Sequence, residues 1–211
     1  MDIYASDDEK GEEIKQWWRD NGRIVIISIV LGTAAIFSGR YWVSYQTTIA
    51  VQASQSYQQL STLLTEDNKL EAQQKTQQLL TEFLSTPYSV FAAFDMATKA
   101  VELNDNDSAK TNLQWIIDHA ELAGQKALAQ LRLSQLLLAE SKFDLAYELV
   151  NEETSISFSS LYSEMQGDIL VAQAKPQQAR SAYQTAMVTL QQGHPRLRNL
   201  QLKLADVVLP Q

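Results

Sequence analysis

The sequence predicts an all-α protein: one N-terminal helix long and apolar enough to cross a membrane, then a right-handed repeat domain of short stacked helices. Three observations carry this expectation. Residues 24 to 43 form an apolar run broken by one formal charge, Arg40. The remainder is rich in Ala, Leu and Gln, poor in Gly, and spaces its apolar residues three and four apart, with almost no strand pattern. Small residues also recur at a fixed separation of twelve.

The bulk properties narrow the function classes. A chain of 211 residues, 45% hydrophobic and 20% charged, suffices for one modest domain with its own core. A net charge of -8 argues against a nucleic-acid binder, whose affinity comes largely from neutralised phosphates. Cysteine is absent, which removes disulfide, thiol and thiolate-metal chemistry; this suits an oxidising compartment without proving one.

Residues 1–23 begin as an acidic tail carrying Asp2, Asp7, Asp8, Glu9, Glu12 and Glu13. Such composition normally stays disordered and solvated. The same charge could contact a basic cytoplasmic protein, so a membrane-anchored regulator of a stress-response protein stands as the alternative function. Lys10, Lys15, Arg19 and Arg23 follow, and then the apolar run.

Twenty residues at about 1.5 Å each reach about 30 Å, the thickness of a bilayer's hydrocarbon. Arg40 sits near the end, where its stem can snorkel to the headgroups. Trp17 and Trp18 precede the run, and Tyr41, Trp42 and Tyr45 close it, as suits the two interfaces. A buried core helix would not need this bracketing. A cleaved export signal competes, but its small residues, "TAA" at 33 to 35, lie inside the run. No Lys or Arg occurs between Arg40 and Lys69, so the basic N-terminal side is expected in the cytoplasm and the large C-terminal part outside. Ser28, Gly32, Ala35 and Gly39 share one helical face and could let another membrane helix approach closely, although small residues are common in any such helix.

Residues 44–211 form the exported domain. Loops are expected at "TEDN" (65–68), "NDND" (104–107) and "NEETSIS" (151–157). Asn68 with Glu71 reads as a capping box, and Thr86 as an N-cap before Pro87. Lys175-Pro176 and His194-Pro195 mark further helix starts with proline at the first position. Ser134 is followed twelve residues later by Ala146, Gly167 by Ala179, and, more loosely, Ala97 by Ala109. The alanines are 37 and 33 residues apart. Gly167, Ala179, Tyr183 and Ala186 fall where tetratricopeptide repeats place small, small, aromatic and small residues. An ordinary bundle with alanines at its crossings would use the same residue types. The domain's aromatics (Tyr88, Phe91, Phe94, Trp115, Phe143, Phe158, Tyr162, Tyr183) read mostly as core wedges.

With these segments in view, the chain resembles the family of ancillary subunits of the bacterial SecYEG translocon, the YfgM-like family. Ile14, Lys15, Trp17, Trp18, Asn21 and Gly22 carry one juxtamembrane motif, and Arg40, Tyr41 and Trp42 the other. The resemblance implies a single-pass, type II inner-membrane protein with a periplasmic tetratricopeptide-like domain. It further implies association with the Sec translocon, with the periplasmic chaperone PpiD, and with exported polypeptides during protein transport. The lipid bilayer is the remaining partner, and no cofactor or metal is expected.

Catalysis is not expected. No Gly-rich phosphate loop, HExxH or GxSxG occurs, and the two histidines, His119 and His194, are far apart. Asp105 and Asp107 lack the further ligands of a calcium loop. Asp118 and His119 are sequence neighbours and point apart on a helix. A membrane-anchored interaction protein, holding partners through its domain, is the reading these features favour.

Overall fold

A computed structural model of the chain describes residues 7–151, 156–190 and 194–207. Among the described residues there are nine α-helices, one short 3-10 turn and no strand. The acidic residue Asp2 and positions 152–155 of the expected "NEETSIS" loop lie outside the described residues. The chain divides into two compact units, one ending at Val51 and the other beginning at Gln52.

The first unit is helical throughout its described length, from Asp7 onward. This helix, α1, does not stop at the expected end of the apolar run but continues to Thr65. The reason is local: between Gly39 and Thr65 there is no Gly or Pro to break it. Thr47 and Thr48 turn their hydroxyls back onto the carbonyls of Val43 and Ser44, which keeps those groups satisfied within the helix.

The second unit is a series of helix pairs. Residues 52–65 of α1 precede α2 (Lys69–Glu82). Then come α3 (Pro87–Glu102) with α4 (Asn106–His119), α5 (Ala123–Ala139) with α6 (Phe143–Asn151), and α7 (Ser159–Ala172) with α8 (Pro176–Val188). A final helix, α9 (Arg196–Asp206), packs on α8. From α2 onward each helix packs on its neighbours in sequence, and α5 also touches α7, which is the pattern of a repeat stack.

The pairs share one turn. Asp67, Asn104, Ser141 and Ala174 all adopt left-handed backbone, with φ from 54 to 60°. Their spacing is 37, 37 and 33 residues. In every case the next amide donates to a carbonyl five residues back: Asn68 to Leu63, Asp105 to Ala100, Lys142 to Leu137 and Lys175 to Leu170. That six-to-one bond closes a Schellman motif, which ends the first helix and reverses the chain. None of the four is glycine.

Several expected helix starts are corrected. Asn68 accepts from the Glu71 amide, but its own amide is taken by Leu63, so the reciprocal half of the capping box does not form. Thr86 is the N-cap residue before Pro87 as expected, but its hydroxyl donates to the Phe83 carbonyl and makes no capping bond, and the Ser89 hydroxyl donates to the Thr86 carbonyl. Asn106 and Asp107 belong to the first turn of α4 rather than to the loop, with Asp105 as the cap. Pro195 is the N-cap of α9, not its first residue. Only Pro176 occupies the expected first helical position beside Pro87.

The core runs along the pairs. Leu113, Ile116, Leu133, Val150 and Ile169 form its centre, and Leu170, Ala179, Tyr183, Ala186 and Leu200 continue it to α9. A buried Leu or Ile is worth about 1.5–3 kcal/mol, so these contacts, rather than helix propensity, hold the short helices in place.

Candidate functional site

In the N-terminal unit the Trp18 side chain lies against Gly22. A Cβ on Gly22 would lie 3.2–3.3 Å from the indole of Trp18, so the ring is laid flat against the helix one turn on. Asn21 donates to the Trp17 carbonyl at 3.1 Å, and Lys15 pairs with Glu12. Ile14, Trp17, Arg40, Tyr41 and Trp42 are exposed. Ser28, Gly32, Ala35 and Gly39 are exposed as well, and a Cβ on Gly32 or Gly39 would meet open space.

The apolar run of α1 is long and apolar enough to cross a membrane, and almost none of it is covered by protein. Leu31, Ile36 and Phe37 are 65%, 64% and 69% exposed. A buried core helix is therefore excluded. So large an apolar surface on all sides of a helix has no stable place in water.

In the repeat domain, the small residues singled out from sequence lie at helix crossings. Ser134 and Ala146 are fully buried, and the Ser134 hydroxyl donates to the Ala146 carbonyl at 2.8 Å. Ala179 and Ala186 are fully buried too, and Ser160 donates to the Ala186 carbonyl. Gly167 is the tightest point. A Cβ there would fall 2.3 Å from the Tyr183 ring. The ring thus occupies the space that any side chain at 167 would fill.

Sequence reasoning missed the first repeat. Leu60 and Ala72, twelve apart and 37 residues before Ala97 and Ala109, are buried in the same positions. Leucine replaces the small residue, so the small-residue pattern alone could not find it; Ala72, read at the 37-residue step, was the available signal.

Around Tyr183 lies an ionic cluster. Its hydroxyl donates to Asp168 at 2.8 Å, and Lys203 of α9 donates to both Asp168 oxygens and pairs with Glu164. Arg196 pairs with Glu164 as well. Burial opposes charge on Glu164, but hydrogen bonds from Lys203 and Arg196 outweigh it and hold the carboxyl below its usual range. Burial likewise opposes charge on Lys203, and Asp168 and Glu164 reverse that effect. Burial and then Asp168 push the Tyr183 phenol well above its ordinary value. These groups clamp α9 onto α7, which makes them structural.

Other candidates also prove structural. Asp105 accepts from the amide and hydroxyl of Ser108, and Asp107 pairs with Lys110. His119 is exposed and stacks on Trp115, 4.7 Å between centroids, with Nδ1 2.9 Å from the Trp115 carbonyl oxygen. Among the described residues no cluster of metal-ligating side chains occurs. Phe91, expected as a wedge, is 41% exposed beside Tyr57 and Tyr88. Burial and then the Asp95 carboxylate raise Tyr57 to about 12.

One sizeable cleft, about 840 Å³, opens between α4 and α6 over α5. Trp115, Asp118, Leu133, Leu137, Leu145 and Glu148 are among its lining.

Comparison with known proteins adds the following. Residues 15–208 match the family described as tetratricopeptide repeat-like domain. The chain is similar to the ancillary SecYEG translocon subunit of Haemophilus influenzae, 26% identical over 202 residues, covering 96% of this chain and 98% of that one. It is similar to the protein of that name from Escherichia coli strain K12, at 25% identity over 89% of this chain and 90% of that one. The Neisseria gonorrhoeae protein of that name is 24% identical over 97% and 98%. No solved structure matches.

Proposed function

Because this chain belongs to the tetratricopeptide repeat-like domain family, we propose that it is a non-enzymatic, membrane-anchored interaction protein ancillary to the Sec translocon. The observation that carries this reading is the extent of the similarity. Relatives named ancillary SecYEG translocon subunit align over 89–97% of the chain, an extent that takes in the apolar helix of this chain as well as its repeat domain.

In this proposal residues 1–23 are the cytoplasmic tail, 24–43 the membrane span and 44–211 the exported domain. Orientation follows Lys10, Lys15, Arg19 and Arg23, which are kept on the cytoplasmic side of the inner membrane. Ile14, Lys15, Trp17, Trp18, Asn21, Gly22, Arg40, Tyr41 and Trp42 fix the depth of the helix, and Ser28, Gly32, Ala35 and Gly39 offer a close-approach face to another membrane helix. The repeat domain then holds PpiD, the chaperone partner implied by the family resemblance, or exported polypeptides near the translocon exit.

Photocrosslinkers placed at Gly32 and Gly39, and on the domain surface, test this in intact cells. Translocon components are expected from the first pair and a chaperone or exported chain from the second. Crosslinks to lipid alone would remove the basis for the proposal. Protease treatment of intact spheroplasts checks topology: residues beyond Tyr45 should be digested.

A further inference from the structure

The cleft between α4 and α6 has a definite chemistry. Leu133 and Leu137 of α5 form its floor, and Trp115 of α4 and Leu145 of α6 stand in its walls. Leu145 is 54% exposed, an apolar side chain left standing at the mouth of the cleft. The Trp115 ring is braced by the stacked His119 imidazole, so the wall is rigid.

Charge is distributed unevenly around this floor. Lys110 is the cation of the lining, and Glu140 and Asp107 already neutralise it at 2.8 and 2.9 Å. Asp118 accepts an amide hydrogen bond from Gln114 and has no ion pair among the described residues. Glu148, exposed on α6, has no ion pair among the described residues. The rim is thus acidic and the floor apolar.

We propose that this cleft binds a polypeptide segment presenting a large apolar side chain flanked by lysine or arginine. Resting on the interaction-protein reading above, the inference assigns the contact to α4, α5 and α6 and names the partner's chemistry. The apolar side chain enters against Leu133 and Leu137, displacing water from surface that Leu145 and Trp115 only partly cover. Flanking cations meet Asp118 and Glu148, which reject acidic segments and set the register. Exported chains offer such segments only while unfolded, since folding buries the apolar residue.

The test uses the full chain in lipid nanodiscs and three short fluorescein-labelled peptides followed by anisotropy. One carries leucines flanked by lysines, the second glutamates in place of the lysines, and the third serines in place of the leucines. The first should bind, and the other two should bind about tenfold more weakly or worse. Both informative variants change exposed side chains. Glu148→Lys should weaken the lysine peptide and strengthen the glutamate peptide, and Leu145→Ser should weaken every leucine-bearing peptide.

Equal binding of all three peptides, or unchanged affinity in both variants, overturns the inference. So does concentration-dependent dimerisation abolished by Leu145→Ser, because the occupant would then be a second copy of the chain. Translocon association is measured by co-purification from the same preparations. If that association persists while the lysine peptide fails to bind, the cleft assignment alone falls; if the association is absent, the underlying reading falls.

Discussion

Gly167→Ala is the sharpest probe of the repeat packing, because two opposite effects can be weighed in advance. A methyl in place of hydrogen puts a carbon 2.3, 2.5 and 2.9 Å from three atoms of the Tyr183 ring. Ordinary contacts are near 3.5–4.0 Å, so the ring must retreat by about 1 Å. It is rigid, almost fully buried, and tied through its hydroxyl to Asp168. Overpacking of this kind costs about 1–3 kcal/mol. Losing the hydrogen bond adds about 1 kcal/mol, while the better helix propensity of alanine returns about 1 kcal/mol. The net expectation is a loss of about 2 kcal/mol.

Urea unfolding of the full chain in detergent, followed by far-UV circular dichroism, reads this as a lowered midpoint. Gly124→Ala is the internal control, since its Cβ would meet only Phe158, at 3.6 Å, in ordinary contact. It should be neutral or stabilising. Adding Tyr183→Leu to Gly167→Ala should recover part of the loss, and the double-mutant cycle measures how much. A Gly167→Ala protein as stable as the wild type would refute the close approach of α7 and α8 at this point, and with it the assignment of Gly167 as a repeat crossing.

Three further outcomes follow from the same geometry. Ala174→Gly and Ser141→Gly should each stabilise the domain by about 1 kcal/mol in the same unfolding assay, because both residues hold left-handed backbone that glycine adopts freely. Asp67→Gly should gain less, since it also removes the Asp67–Lys99 ion pair. Ser134→Ala should cost about 1 kcal/mol by the same readout, as it deletes a buried hydrogen bond between α5 and α6. Hydrogen bonds from Lys110 and then Lys142 hold the Glu140 carboxyl down at about 2 against an ordinary 4.5. Its contribution is therefore present above the unfolded-state value and lost as pH falls through about 2. Unfolding midpoints measured against pH should show a shallower acid limb in Glu140→Gln.

The sequence made the packing positions more legible than the helix ends. Ser134, Ala146, Gly167 and Ala179 could be found because a crossing demands a small residue whatever surrounds it, and the twelve-residue separation is set by a fixed hairpin. Caps were less legible because several groups compete for each amide. Thr86 has the right chemistry for an N-cap, yet its hydroxyl finds the Phe83 carbonyl, and Asn68 loses half of its capping box because its amide makes the Schellman bond to the Leu63 carbonyl. The first repeat was hidden for two physical reasons. Its first helix is the continuation of α1, so no turn residue marks where the domain begins, and Leu60 fills a crossing that Ala97, Ser134 and Gly167 keep small. The four left-handed turns were equally hidden, since Asp, Asn, Ser and Ala occupy them in place of the glycine that announces a Schellman motif. Once aligned, they repeat the same steps of 37, 37 and 33 that separate Ala72, Ala109, Ala146 and Ala179. The step from Ser141 to Ala174 is four residues shorter than the two before it. That shortening falls between Ala146 and Gly167, which are 21 residues apart where Ala109 and Ser134 are 25 apart.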